Sequence, residues 1–396
     1  MRLGYLVPEF PGQTHAFFWR EIQALRDEGV EVVIFSTSRP PPHASRHAFA
    51  GPAREETSYL WPPRLPHALR TLAETRRTGR ALRYLGRLSS RGPRERARQA
   101  GLLVASAALA GAVRERAIDH LHVHSMADSA HLAALQRQLG GCPYSLTLHG
   151  DLEVYGRDHE SKVRDAEFVA CVTRALQRSL VERLSLSVAR APVLWMGVDT
   201  ARFEPPAARA SGAGLELVSV ARLNTNKGHR FALRALRGAL DRGLVARYVI
   251  AGEGPERPAL EAEIRELRLG DRVTLAGTLS EDSVAKLLAE SNVFVLPSVG
   301  RGEAAPVSLM EAMAAGLPVV CSVIGGVSDM VQDGSEGLLV AQGDVSALES
   351  AFLRLAADPP LRERLGRAAR KRAVADFDHR SCARRLLAEL RAAKNR

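Results

Sequence analysis

The sequence contains few cysteines, and none of its apolar runs approaches the length of a membrane-spanning helix. Its four cysteines among 396 residues are far apart and mostly lie in apolar runs. This usage argues against a disulfide framework and a metal site and is typical of a reducing compartment. A bilayer-spanning helix needs about 20 consecutive apolar residues, and the apolar stretch in the opening MRLGYLVPEF is too short for a signal peptide. We therefore expect a cytoplasmic protein.

Two common nucleotide-binding motifs are also missing. No G-x-G-x-x-G follows the first predicted strand, which argues against a nicotinamide dehydrogenase, and the sequence has no P-loop. Aromatic residues make up only 5% of the chain, and Tyr84 is the one aromatic residue among the arginines of 70–98. Proteins that bind single-stranded nucleic acid interleave aromatic and basic side chains. The sequence therefore argues against a nucleic-acid binder.

Positive charge is in excess and is concentrated in one stretch. The formal net charge is +11, and residues 54–100 hold twelve arginines against four glutamates. From Leu65 to Leu88, leucines recur at near-helical spacing between these arginines. Two interpretations of segment 64–98 stay open. It is either a basic amphipathic element that docks on an anionic membrane, peripheral to the inner face, or a surface helix with one face on the core.

Strand-like apolar runs alternate with helical patterns through both halves of the chain. This alternation predicts the α/β class, with two Rossmann-like, doubly wound domains facing a central cleft. We place the first domain at 1–198 and a linker rich in proline, alanine and glycine at 199–214. The second domain is predicted at 215–375, followed by a last helix at 376–396.

Residues that directly follow predicted strands are the candidate ligand contacts, because sites in open α/β sheets form at the carboxyl ends of strands. In the first half, Gly12 lets the backbone approach a ligand, and His149 and Asp151 follow the strand that ends in T-L-H-G-D. In the second half, Arg222 and Lys227 flank a loop and a helix start. Two cations there can neutralise a diphosphate.

Three alternating histidines occupy the strand D-H-L-H-V-H, at His120, His122 and His124. Alternation places all three on one side of the sheet, where they could suggest a metal site. No carboxylate or cysteine lies at ligand spacing, so we predict a structural role and no metal.

The last third contains a strand, a glycine-bearing loop and a helix. The helix is predicted to begin at Pro306 and to end at Gly316. The free backbone N–H groups of Val307 and Ser308 at its start, together with the helix dipole, suit a phosphate.

This helix start lies between Glu303 and Glu311 in the phrase E-A-A-P-V-S-L-M-E. The phrase resembles the signature of retaining glycosyltransferases of the GT-B fold, family 4 type. In that family the first glutamate contacts the transferred sugar and the second holds the nucleotide ribose, so the resemblance implies these roles for Glu303 and Glu311. Ala304 stands where the family commonly has glycine.

The resemblance covers nearly the whole chain. Arg222 and Lys227 match an R-x4-K pair, M-G-V-D-T-A-R-F matches the phrase before the linker, and F-P-x5-F near the start is similar to exopolysaccharide and colanic-acid enzymes. It implies that His149 contacts the donor sugar and the departing phosphate, and that the nucleotide base lies against the backbone near Thr278 and Leu279. It also implies that the first domain binds the acceptor, that the second domain binds the nucleotide sugar, and that the last helix crosses back to the first domain.

The implied activity is retaining transfer of a hexose from a nucleotide sugar, preferably UDP-linked, to a hydroxyl of a saccharide or glycolipid acceptor. No carboxylate suits a covalent nucleophile, so we favour front-face substitution without metal or further cofactor. In this mechanism Arg222, Lys227 and the helix start hold the charge of the leaving diphosphate. Two alternatives stay open: another GT-B enzyme, such as a sugar-nucleotide epimerase, and a non-catalytic, sugar-nucleotide-binding partner of a transferase.

Overall fold

The computed structural model describes residues 1–42, 44–89, 92–207, 214–300 and 304–394. Within these ranges the chain forms two compact units. The first domain consists of Met1–Trp195 together with Ala383–Arg396, and the second domain of Met196–Cys382. The linker predicted at 199–214 stays a prediction, because residues 208–213 lie outside the described ranges.

The first domain is built on a parallel sheet. Its described strands are β1 Arg2–Glu9, β2 Glu31–Ser38, β3 Ser58–Tyr59, β4 His120–Val123, β5 Tyr144–Leu148 and β6 Val169–Cys171, and they pair in the order β3-β2-β1-β4-β5-β6. The connecting helices are α1 Ala16–Asp27, α2 Ala50–Glu56, α3 Leu65–Glu74, α4 Thr78–Gly86, α5 Pro93–Glu115, α6 Asp128–Gln138, α7 His159–Val163 and α8 Arg174–Leu184. Short 3-10 turns lie at Leu152–Tyr155 and Val188–Arg190.

The second domain repeats this plan. Its described strands are β7 Leu215–Val220, β8 Ala246–Ala251, β9 Val273–Gly277, β10 Val293–Leu296, β11 Val319–Ser322 and β12 Gly337–Val340, in the order β12-β11-β10-β7-β8-β9. A 3-10 turn at Thr225–Lys227 is followed by α9 His229–Asp241, α10 Arg257–Glu266, α11 Glu281–Glu290, α12 Val307–Ala314, α13 Val327–Met330, α14 Val345–Ala357 and α15 Pro359–Asp376. The last helix, α16, spans His379–Lys394.

Each domain has its own hydrophobic core. Every residue of β4, β5, β6, β10 and β11 is buried, as expected for parallel strands covered by helices on both faces. The core of the first domain includes Leu386 and Leu390 from α16, packed with β1, α1 and β2. In the second domain, Phe352 and Leu348 of α14 join the core with the apolar side of α9.

The strand order reverses direction once in each sheet, between β1 and β4 and between β7 and β10. At such a switch point the two flanking loops leave in opposite directions and open a crevice at the carboxyl edge of the sheet. This topology confirms the predicted α/β class with two doubly wound domains. It also marks one edge of each sheet as the place for a ligand.

The helical pattern predicted from Leu65 to Leu88 is divided into two helices, α3 and α4. The break lies at Thr75, whose backbone is extended, with ψ 127°. Its side-chain hydroxyl donates to the carbonyl of Leu139 at 3.1 Å and accepts from the backbone N–H of Arg77 at 3.3 Å. These bonds offer the chain an alternative to a continuous helix. In the described residues, no helix is both long and apolar enough to cross a membrane.

Candidate functional site

The loops after β7 and β10 meet at the switch point of the second domain. The backbone N–H of Val299 donates to the carbonyl of Asn226 at 2.8 Å and holds the two loops together. Gly228 has a left-handed φ of 65°, and a Cβ there would lie 1.9 Å from the carbonyl oxygen of Pro297. No other residue fits this approach without moving the backbone. The close packing of the two loops therefore explains why a glycine follows Lys227.

The two predicted diphosphate cations lie in the loop after β7. Arg222 is exposed, and Lys227 is half-buried at the end of the 3-10 turn. The ring of His229 supports the loop, because its Nε2 lies 3.3 Å from the carbonyl oxygen of Arg222. Burial lowers the pKa of His229 to about 4, so the ring is neutral near pH 7 and donates its single proton to that carbonyl. Both cations thus lie at the switch point.

Helix α12 begins at the same switch point, after the loop that follows β10. Pro306 is its N-cap residue and makes no side-chain capping bond. The N–H groups of Leu309 and Met310 donate to the carbonyl of Pro306 at 3.1 and 3.4 Å. The N–H groups of Val307 and Ser308 have no acceptor within the described part of the chain, and both residues are half-buried. This helix start can donate hydrogen bonds to an anion.

The predicted ribose contact, Glu311, lies one turn into α12 and is only 8% exposed. A carboxylate accepts hydrogen bonds from hydroxyl groups, so a carboxylate at this place on α12 is compatible with the predicted ribose contact. Glu303, the predicted sugar contact, lies outside the described residues. Next to it, the carbonyl of Ala304 accepts from the N–H of Gly326 at 2.9 Å, which ties the loop before α12 to the loop after β11.

Leu279, the predicted base contact, follows β9 at the same carboxyl edge and is half-buried. The next residue, Ser280, caps α11, and its hydroxyl accepts from the N–H of Ser283 at 3.3 Å. Three strand spacings separate β9 from β10, and at about 4.8 Å each the distance along the edge is about 14 Å.

In the first domain, Gly12 and His149 follow β1 and β5 at the carboxyl edge of the sheet. Local packing explains why position 12 is a glycine, because a Cβ there would lie 2.8 Å from the ring of His15. Asp151 is half-buried and precedes the 3-10 turn at Leu152–Tyr155. His149 is half-buried, and its backbone N–H lies 3.3 Å from the hydroxyl oxygen of Tyr155, which accepts the bond.

A chain of buried polar side chains leads from the interior of the first domain to His149. Tyr5 donates its hydroxyl proton to Oε1 of Glu21 at 2.8 Å. Nε2 of His124 lies 3.1 Å from the same oxygen, and Nδ1 of His124 lies 3.2 Å from Nε2 of His149. Burial raises the pKa of Glu21 and lowers the pKa of both histidines to about 3.

Reasoning from the sequence missed Glu21 and Tyr5 and treated His124 only as part of the alternating strand. The available signal was a glutamate among the buried positions of α1, next to Ile22 and Phe18. The other two alternating histidines bind hydroxyl groups: His120 contacts Ser145 at 2.8 Å, and His122 contacts Ser145 and Thr147 at 2.7 and 2.9 Å. In the residues that the structure covers, no group of three or more ligand-type side chains could hold a metal ion.

Two family models match the chain in consecutive stretches. The model described as Glycosyltransferase Family 4 matches residues 16–202, and the model described as Glycosyl transferases group 1 matches residues 204–372.

Curated relatives agree with these models. A putative colanic acid biosynthesis glycosyltransferase of Escherichia coli is 36% identical over 226 residues, which cover 55% of this chain and 53% of the relative. An amylovoran biosynthesis glycosyltransferase of Erwinia amylovora is 32% identical over 208 residues, 52% of this chain and 51% of the relative. The matched part spans about half the length of these relatives.

Solved structures agree on the fold. The HepE protein of Anabaena, crystallised in complex with UDP, superimposes with a TM-score of 0.76 at 16% identity, covering 99% of this chain and 100% of that one. The sucrose-phosphate synthase of Thermosynechococcus elongatus gives 0.73 at 22% identity, covering 99% and 98%. Both domains therefore have the predicted GT-B type of fold, and the chain belongs to the group 1, or family 4, glycosyltransferases.

Proposed function

We propose that the chain transfers a hexose from a UDP-linked donor to a hydroxyl of a saccharide or glycolipid acceptor, with retention of anomeric configuration. The observation that carries the proposal is the switch point of the second domain. Arg222, Lys227, the start of α12 and the buried Glu311 all lie there, at one edge of one sheet. Cations and free N–H groups suit a diphosphate, and a buried carboxylate suits a ribose.

The size of this edge fits a nucleoside diphosphate. A diphosphate at the start of α12 leaves about 14 Å along the edge to Leu279 beyond β9, room for a ribose and a base in extended form. The choice of UDP is supported by the HepE structure, which contains that nucleotide. The choice of an exopolysaccharide-type acceptor is supported by the names of the colanic acid and amylovoran relatives.

The mechanism we propose is front-face substitution. The leaving diphosphate takes the proton of the acceptor hydroxyl, and Arg222, Lys227 and the amides of Val307 and Ser308 stabilise the developing negative charge. Glu303 and His149 are assigned to the transferred sugar. Because protein cations neutralise the diphosphate, the reaction requires no metal and no cofactor besides its donor.

Glu311→Gln is expected to weaken donor binding about 10-fold or more, because it replaces a charge-assisted hydrogen bond to the ribose by a neutral one. Titration calorimetry with UDP and UDP-glucose measures this loss. The matched variant, Glu303→Gln, should keep donor affinity and lower kcat, since its partner is the reacting sugar. Identical behaviour of the two variants would contradict the division of roles.

Product analysis tests the activity itself. Purified protein given UDP-sugars and a saccharide acceptor should yield an elongated product whose anomeric configuration, read by NMR, matches that of the donor. An epimerised nucleotide sugar without transfer would favour the epimerase alternative. Donor binding without either product would favour a non-catalytic partner of another transferase.

We further propose that the arginine-rich segment docks the protein on the anionic, cytoplasmic face of a membrane. Apolar side chains are unusually exposed along this part of the chain: Trp61 55%, Leu65 57%, Leu69 66% and Leu82 55%. Arginines of α4 and its flanks are also exposed, and no carboxylate pairs with the following side chains in the described structure: Arg76, Arg77, Arg80, Arg83 and Arg87. A segment that exposes both apolar side chains and arginines without a carboxylate partner complements an anionic lipid surface.

The protein is expected to co-sediment with phosphatidylglycerol vesicles at low salt and not with phosphatidylcholine vesicles. Each arginine near such a surface contributes about 1 kcal/mol, and the attraction falls off over a Debye length of about 8 Å at physiological salt. Binding should be lost when four arginines of the segment become glutamine: Arg76, Arg77, Arg80 and Arg83. A charge-matched control changes four exposed arginines of the second domain: Arg242, Arg247, Arg265 and Arg268. Equal binding by both variants, or no binding by the wild type, would refute docking through this segment.

A further inference from the structure

With Glu21 ionised, the buried chain from Tyr5 to His149 has a direction, because a carboxylate only accepts hydrogen bonds and a neutral imidazole has a single N–H to donate. Tyr5 donates to Oε1 of Glu21, and a carboxylate can only accept, so with Glu21 ionised this oxygen is an acceptor for both of its neighbours. Nε2 of His124 lies 3.1 Å from the same oxygen, although the contact is poorly aligned for a hydrogen bond. Two lone pairs at that distance would repel, so Nε2 of His124 is the nitrogen that carries the proton.

The same reasoning extends to the next ring. Both rings are neutral near pH 7, since burial lowers the pKa of His124 and of His149 to about 3. A neutral imidazole has one N–H and one lone pair. With the proton of His124 on Nε2, its Nδ1 is an acceptor, and it lies 3.2 Å from Nε2 of His149. Nε2 of His149 must then be protonated, and its Nδ1 must hold the lone pair.

The free nitrogen of His149 has no partner within the described residues. Its Nδ1 is buried and unbonded, although the residue as a whole is half-buried at the carboxyl end of β5. The rings of Phe17 and Phe18 lie 5.7 and 5.6 Å from the imidazole and limit its rotation. A buried acceptor left unsatisfied in this way is destabilising, and a hydrogen bond from a ligand hydroxyl at this edge would remove that penalty.

We infer that Glu21 and His124 are positioning residues, which fix the proton of His149 on Nε2 so that Nδ1 accepts a hydrogen bond from a sugar hydroxyl. Glu21 and His124 do not touch the ligand in this arrangement. They determine whether His149 offers the sugar a lone pair or a proton, and a lone pair selects a hydroxyl over a phosphate oxygen. The identity of the ligand as a sugar rests on the proposed function, whereas the position of the proton does not.

The proton position can be measured directly. In the full chain labelled with 15N-histidine, two-bond proton–nitrogen correlation spectra distinguish the two neutral tautomers. His149, assigned with the His149→Gln variant, should show the Nε2–H tautomer in the wild type near pH 7. A wild-type His149 with its proton on Nδ1 would overturn the inference, whatever the variants do.

The variants test the cause. His124→Phe keeps a ring in the aromatic cluster with Tyr5 and Phe18 but removes the acceptor, so His149 should become a mixture of tautomers. We expect kcat to fall about 10-fold or more with donor KM unchanged. Glu21→Leu should give the same mixture. Tyr5→Phe removes a bond to the same carboxyl group without changing its acceptor role, so the wild-type tautomer should persist.

An unchanged tautomer in folded His124→Phe or Glu21→Leu protein would overturn the positioning role. Failure of the proposed function has a different signature. If UDP-sugars neither bind nor react while the wild type shows the Nε2–H tautomer, the positioning chain stands and the sugar ligand is wrong.

Discussion

Replacing Lys227 or Arg222 by alanine is expected to lower kcat by more than about 100-fold, which corresponds to about 3 kcal/mol of transition-state stabilisation. Both residues lie in the loop after β7, at the switch point where α12 also begins. In the proposed reaction the bond to the leaving diphosphate breaks without a metal, so the protein must supply the positive charge. The charge on the diphosphate grows as the bond breaks, and the loss should therefore affect kcat more than donor binding.

Steady-state rates with a UDP-sugar donor and a saccharide acceptor measure this effect. A matched control is Arg247→Ala, because Arg247 is exposed and belongs to the same domain but lies near the amino end of β8, away from the carboxyl edge. The control should retain wild-type kcat. Unchanged kcat/KM in both Lys227→Ala and Arg222→Ala would remove these cations from the site.

The free energy of unfolding is expected to fall by several kcal/mol between pH 7 and about pH 5, mainly through the first domain. Four of its histidines are buried, and burial lowers the pKa of each: His120 and His131 to about 4, His124 to about 3, and His122 well below its ordinary value. A histidine whose folded pKa lies below the unfolded value of about 6.5 contributes stability above pH 6.5 that is lost as the pH falls toward the folded pKa.

The size of the effect follows from the number of groups. Each such histidine loses about 1.4 kcal/mol per pH unit, or about 2 kcal/mol between pH 6.5 and 5. Glu21 opposes this loss, since burial raises its pKa and its protonation favours the folded state as the pH falls. Before that opposing contribution, the four histidines together lose about 8 kcal/mol, which is comparable with the whole stability of many domains.

Urea unfolding of the full chain at several pH values, followed by circular dichroism, measures this change. His131→Phe should reduce the difference between the two pH values by about 2 kcal/mol, even if the substitution changes the stability at pH 7. His67→Asn is the matched control, because His67 is exposed and its loss should leave the difference unaltered. A wild-type difference below about 1 kcal/mol would contradict neutral histidines in the native core.

Much of the candidate site of the second domain could be predicted from its sequence. Arg222, Lys227, Val307 and Ser308 each follow an apolar run, and glycine and proline signals mark where each run ends. Parallel strands all end at one edge, so the sequence alone makes a residue after a strand a candidate for that edge. The resemblance to family 4 enzymes then supplied roles for Glu303 and Glu311, and those roles stay predictions.

The positioning chain of the first domain could not be predicted in this way. Tyr5, Glu21, His124 and His149 come from four different elements, and no spacing in the sequence relates them. Glu21 looks like one more charged residue on a surface helix until α1 is packed on the sheet and turns that carboxylate toward β4. The exposure of Leu65, Leu69 and Leu82 could not be predicted from the sequence either. Helical spacing predicts an apolar face but not whether another element covers that face.

The sequence by itself determined the α/β class, the ends of the strands and the residues available at each end. These are local properties, set by hydrophobic periodicity, by glycine and proline, and by the chemistry of single side chains. Only the tertiary structure decided which loops are neighbours, since strand order depends on how each crossover helix packs against the whole sheet. For the same reason it alone decided that β7 lies beside β10, and that a buried carboxylate on α1 contacts a histidine whose other nitrogen contacts His149.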